Sequence, residues 1–228
     1  MPELPEVETV RRGLHELIIG RTVKSVVHDT PKSFPNAASD VERFLINASI
    51  TNVRRRAKVL MIDLSTDYTL VIHLKMTGQL VFRASGVAFG AGHPSESLIG
   101  ELPDRSTRVT FMFADGSHLY FNDQRKFGWV KLIPSIEVPN IDFMKKVGPE
   151  PLEADFTPEE FAARFTRRAK SPIKAALLDQ TVIAGVGNIY ADESLWGAKI
   201  HPTSRVLEIP KSKLETLHTE LLFVLKLA

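Results

Sequence analysis

The feature that most constrains the fold is a change of hydrophobic period near residue 134. From residue 22 to residue 133 apolar residues come in short runs of strand length, at 22–28, 49–53, 59–64, 69–73, 79–83, 108–114, 118–122 and 128–133. Ser65-Thr66-Asp67 and Asp115-Gly116 separate two pairs of these runs and predict hairpins. Before them, Val10, Leu14, Leu17 and Ile18 follow helical spacing over residues 9–19, with Gly20 as the stop, and residues 40–46 suit a short helix. Residues 85–104 hold four glycines and two prolines without periodicity, which predicts a surface loop. Residues 134–140 read as a linker. Beyond them the spacing is helical, at 173–179, 189–195 and 210–227, and Thr157-Pro158-Glu159-Glu160 has the chemistry of a helix start ahead of Phe161 and Phe165. The class expected is α+β in two domains, strands first and helices second.

Composition narrows the function classes. A hydrophobic content of 43% with 25% charged residues is that of a globular chain, and 228 residues suffice for two domains. No apolar run approaches membrane-spanning length and the acidic start is no signal peptide, so no membrane partner and a cytoplasmic setting are expected. The cysteine count is zero, which excludes disulfides and cysteine-based zinc sites. A formal charge of +2 is too small to argue for nucleic acid. Its distribution says more, because Arg54-Arg55-Arg56-Ala57-Lys58 and residues 164–174 are basic clusters, although either could be an ordinary solvated face.

The chain opens Met1-Pro2-Glu3-Leu4-Pro5-Glu6. With Met1 removed, Pro2 carries a secondary amine, which can attack an electrophilic carbon and form an iminium. Such an amine titrates at about 8, well below lysine. Glu3 stands beside it as a candidate proton carrier, and Glu6 lies one helical turn further on. The plainer reading is a helix start, where prolines and acidic residues are at home. A retained Met1 would make the Pro2 nitrogen an amide and abolish its nucleophilicity.

Four internal strings carry further chemistry. In Ile183-Ala184-Gly185-Val186-Gly187-Asn188-Ile189-Tyr190-Ala191-Asp192-Glu193, two glycines precede a helix whose expected N-cap is Asn188, an arrangement that lets amides approach an anion. Lys58 follows the arginine cluster. His73-Leu74-Lys75-Met76-Thr77-Gly78 and Asn122-Asp123-Gln124-Arg125-Lys126-Phe127-Gly128 complete the set. Each has a bland alternative: a glycine turn, an edge-strand lysine, a core methionine and a hairpin tip.

The N-terminal string and these four together resemble the formamidopyrimidine-DNA glycosylases, the Fpg branch of the Fpg/Nei family. The resemblance implies an N-terminal β-sandwich with flanking helices over residues 1–133, a linker at 134–142 and a helix-two-turn-helix domain over 143–228. It implies removal of oxidised purines (8-oxoguanine, formamidopyrimidines) from double-stranded DNA, with action on abasic sites, through a Schiff base on Pro2. Pro2, Glu3, Glu6 and Lys58 take the catalytic roles. His73, Met76, Arg125, Phe127, Lys174 and Asn188 bind DNA, with Met76 filling the space of the extruded nucleotide and Phe127 wedging beside Arg125. A monomer without cofactor is expected. Two positions depart from the pattern, Lys75 where a glycine is usual and Ser106 where a DNA-contacting histidine is common. The chain also ends at Ala228, before the region where members carry a capping loop and a four-cysteine zinc finger. The helical domain is therefore expected to be C-terminally incomplete. A damaged-DNA binding scaffold without turnover, or a fragment of a longer glycosylase, stays open at this point.

Overall fold

The computed structural model describes residues 1–228, which form two compact units, one of residues 1–2 and 6–141 and one of residues 3–5 and 142–228. The first helix, α1 (Leu4–Ile18), begins five residues earlier than its apolar spacing predicts. Pro5 sits in its first turn, where a missing N–H removes no helical bond. Val7, Val10, Leu14 and Ile18 form its buried stripe, and Gly20 takes a positive φ just beyond its end.

The strands of the first unit are β1 (Val23–His28), β2 (Ile50–Arg56), β3 (Val59–Leu64), β4 (Tyr68–His73), β5 (Gly78–Ala84), β6 (Val87–Gly92), β7 (Thr107–Phe113), β8 (His118–Asp123) and β9 (Trp129–Pro134), with α2 (Ala38–Phe44) after β1. They form two antiparallel sheets, ordered β1-β7-β8-β5-β6 and β2-β3-β4-β9. One core joins them, with Phe82, Phe111, Phe113 and Phe121 from the first sheet against Leu60, Ile62, Ile72 and Val130 from the second. Each such side chain contributes roughly 1.5–3 kcal/mol on burial.

The loop expected at 85–104 is a correction: its first part is β6, an edge strand paired to β5, and residues 96–98 make a 3₁₀ turn. Alternation is weak in β6 because its glycines serve packing. A Cβ on Gly92, at φ +122°, would lie 2.5 Å from the Gly78 carbonyl oxygen. The segment expected as linker contains a 3₁₀ helix over Ser135–Asn140.

The second unit holds α3 (Asp142–Lys146), α4 (Pro158–Arg164), α5 (Ile173–Leu178), α6 (Asn188–Ala198) and α7 (Lys211–Leu227). Thr157 caps α4 as its sequence predicts, its hydroxyl accepting from the Glu160 amide at 3.2 Å. Phe161, Phe165, Ile173, Leu177, Leu195, Leu217 and Leu221 form the core of this unit. A turn at residues 180–182 and a bend at 183–185 join α5 to α6, a short connection between two helices of the kind expected for the helical domain. No helix is long and apolar enough to cross a membrane.

Candidate active site and nucleic-acid interface

In the second unit the Glu3 carboxylate is buried at the N-terminus of α6. Its Oε2 accepts from the Gly187 amide at 2.7 Å and the Tyr190 amide at 3.4 Å, and its Oε1 from the Ile189 amide at 2.9 Å. First-turn amides have no partner inside a helix, and the partial positive charge at that end favours an anion. The Leu4 amide bonds the Gly185 carbonyl at 3.0 Å, which ties down residues 3 and 4 together. Both glycines of the 183–193 string follow from this packing. A Cβ on Gly187 would meet the Glu3 carboxylate, and one on Gly185, at φ +82°, would lie 2.7 Å from Leu4. The anion expected at this helix end is thus the chain's own carboxylate. Asn188 is correspondingly not the N-cap: Gly187 occupies that position, and Asn188 is the first helical residue with an exposed side chain. Lys174, in the first turn of α5, is ion-paired with Asp192 at 2.8 Å.

The first unit holds the remaining candidates. Pro2 is buried, and Glu6 is half-buried in the first turn of α1. Lys58 is buried in the two-residue turn between β2 and β3, where Ala57 has φ +52°. The arginine run before it is not a loose basic face. Arg54 bridges Asp63 through two bonds of 2.7 and 3.0 Å, and Arg55 donates to Glu8 at 3.1 Å and to the Ala57 carbonyl at 2.8 Å. Burial would raise the Glu8 pKa, but hydrogen bonds from Arg11, Arg12 and Arg55 outweigh it and bring the group down to about 2.

His73 ends β4, packed beside Trp129. Burial, then the charges of Lys75 and Lys58, push its pKa down to about 3, so the ring is neutral at pH 7. Its Nδ1 accepts from the Lys75 amide at 3.1 Å, which leaves Nε2 to carry the proton. His73 therefore presents a neutral N–H donor, not a cation. Lys75 stands at φ +52°, a left-handed position that explains why glycine would suit it. Ser106 is buried within loop contacts to Ser97 and Asp104.

Met76, Arg125 and Phe127 all lie on the surface, with Met76 at 38% and Phe127 at 46% exposure. These are high values for large apolar side chains, and they argue against the core reading of Met76. The Arg125 guanidinium sits 4.9 Å from the centre of the Phe127 ring, and Lys32 lies 5.8 Å from the same ring. Sequence reasoning missed two residues that organise this surface, Thr77 and Asp123. Asp123 is fully buried at the end of β8, opposite Gly78, and its carboxylate accepts the Phe127 and Gly128 amides at 2.8 and 2.7 Å. Its place five residues ahead of Gly128, at the other end of the loop that carries Arg125 and Phe127, was the available signal.

Comparison with known proteins agrees with this arrangement. The family model of the formamidopyrimidine-DNA glycosylase N-terminal domain matches residues 1–130, and that of the formamidopyrimidine-DNA glycosylase H2TH domain matches residues 147–228. A formamidopyrimidine-DNA glycosylase of Ligilactobacillus salivarius is 39% identical over 228 residues, covering all of this chain and 77% of its own length. That of Herpetosiphon aurantiacus is 43% identical over 211 residues, covering 89% of this chain and 68% of its own. Among solved structures, the complex between Lactococcus lactis Fpg and an abasic-site-containing DNA superposes with a TM-score of 0.85 at 33% identity, covering 99% of this chain and 78% of that one. With two domain matches in the expected order and this identity over the whole length, the chain belongs to the formamidopyrimidine-DNA glycosylase family.

Proposed function

We propose that this chain is a base-excision-repair DNA glycosylase and AP lyase acting on oxidised purines through the amine of Pro2. The observation that carries the reading is the fixed Glu3 carboxylate. The amides of Gly187, Ile189 and Tyr190 at the start of α6 hold it one residue from the nucleophile, so a proton carrier stands ready in a defined place.

The reaction needs the sugar carbon C1′ outside the base stack, so the damaged nucleotide is first extruded. Met76, Arg125 and Phe127 are suited to fill the space left behind, as apolar wedges and a base-pairing cation. His73 donates its Nε2 proton to a phosphate oxygen, and Lys58, Lys174 and Asn188 hold further backbone oxygens. After hydrolysis of the Met1–Pro2 bond, the Pro2 nitrogen attacks C1′, the C1′–base bond breaks and the base leaves with the bonding pair. Glu3 takes up the proton that the Pro2 nitrogen loses on attack and passes it to the ring oxygen as the sugar opens, and the freed nitrogen lone pair completes the iminium. Loss of a C2′ proton then expels the 3′ phosphate by β-elimination, with Lys58 and Glu6 assisting proton and phosphate transfer. No metal or organic cofactor enters these steps. The setting proposed is the cytoplasm, at the nucleoid, with the chain acting as a monomer.

The test is borohydride trapping on a duplex with one 8-oxoguanine, followed by mass mapping of the adduct. A reduced adduct on Pro2 supports the reading. Binding without an adduct, with Met1 shown to be removed, refutes catalysis and leaves a lesion-binding scaffold.

A further inference from the structure

The surface that carries Met76 and the one that carries Arg125 and Phe127 come from segments almost fifty residues apart, and polar contacts between the half-buried Thr77 and the second segment splice them. The Thr77 hydroxyl donates to Asp123 Oδ1. The same hydroxyl accepts from the Arg125 amide at 3.1 Å, and that amide also reaches Asp123 Oδ1 at 3.2 Å. The other carboxylate oxygen, Oδ2, holds the Phe127 and Gly128 amides. Asp123 is itself anchored through its backbone, its amide on the Ser106 carbonyl at 2.8 Å and its carbonyl on the buried Arg108 guanidinium at 2.7 Å. Gly128 can approach the carboxylate only because it lacks a side chain. A Cβ there would lie 2.7 Å from the Phe121 ring and 3.2 Å from Asp123 Oδ2.

We propose that Thr77 and Asp123 are positioning residues that make the Met76 loop and the Arg125–Phe127 loop insert into DNA as one rigid body. The proposal rests on the DNA reading given above. An isolated loop that wedges into a duplex pays its ordering entropy alone, whereas two loops sharing a carboxylate are ordered before DNA arrives. A side chain that contacts no DNA thereby governs how well three others act. Thr77 is the adjustable half of the splice, since one hydroxyl is both donor to Asp123 and acceptor from the second loop.

The test uses the full chain and the variants Thr77→Val, which keeps shape and removes the hydroxyl, and Thr77→Ser, which keeps the hydroxyl. The first arm is amide hydrogen exchange without DNA. Thr77→Val should raise exchange at residues 125–128 about ten-fold, the factor expected for loss of one such bond, and Thr77→Ser should restore protection. A rise confined to residues 75–78 overturns the splice. In the second arm, a duplex with a tetrahydrofuran abasic analogue beside 2-aminopurine reports unstacking by fluorescence. Met76→Ala and Arg125→Ala should be non-additive in the parent chain and additive with Thr77→Val, and additivity in both backgrounds overturns the coupling. If the parent chain leaves the fluorescence unchanged, the DNA reading fails, and the exchange arm still decides the splice.

Discussion

Gly187→Ala isolates the link between the N-terminal segment and α6. Gly187 has φ −130°, so alanine meets no left-handed strain there. What alanine meets is Glu3. The added Cβ would stand 2.5 Å from Oε1 and 2.8 Å from Cγ, and the three nearest atoms all belong to that side chain. A carboxylate at the end of a flexible chain swings away, and in doing so it leaves the Gly187 and Ile189 amides at 2.7 and 2.9 Å. Hydrogen bonds to a charged partner contribute about 1.5–3 kcal/mol each, and relaxation recovers part of that, so a loss of about 2–4 kcal/mol is expected. Glu3→Ala removes the same bonds and also the atoms that the new Cβ would strike. In that background Gly187→Ala should cost less than about 0.5 kcal/mol, the range of a substitution with no special feature, giving strong non-additivity in the double-mutant cycle. Only two tryptophans occur, Trp129 in β9 and Trp196 in α6, so Trp129→Phe leaves a fluorophore confined to the helical unit. Urea unfolding followed through Trp196 gives the four stabilities. Additive costs, or a near-neutral Gly187→Ala in the parent chain, would refute the argument that Glu3 holds this helix start.

Lys75→Gly should stabilise the chain by about 1 kcal/mol, because φ +52° is disfavoured for a residue with a Cβ, and urea titration would show it as a higher midpoint. Stability should also fall on acidification in two windows. The His73 pKa lies at about 3 in the fold against 6.5 unperturbed, so the unfolded chain takes up a proton first and stability drops between about pH 6.5 and 3. Glu8, at about 2 against 4.5, gives stability that is present above 4.5 and lost from there down to about 2. Thermal melts across pH 3–7 should show His73→Gln flattening the upper window only, and an unchanged profile would show that His73 is not held neutral.

What the sequence determined by itself was whatever depends on neighbours along the chain. Thr157 caps α4, Gly20 ends α1, and Asp115-Gly116 turns β7 into β8, because each is a local conformational preference that any context respects. Strand positions were legible for the same reason wherever one face of a run is buried. β6 escaped because it is an edge strand, rich in glycines that serve close backbone approach, so its burial does not alternate. The residue types of the functional surface were legible too, through their resemblance to a family, but their electrostatic state was not. His73 is neutral because folding places two lysines beside a desolvated ring, and Arg54 and Arg55 are spent on Asp63 and Glu8. Only the tertiary structure decided that the anion at the start of α6 is Glu3, 184 residues away, and that one buried aspartate joins two loops. Propensity and periodicity act over a turn or two of chain. Partners so distant in sequence are chosen by the packing that brings them within a hydrogen bond of each other.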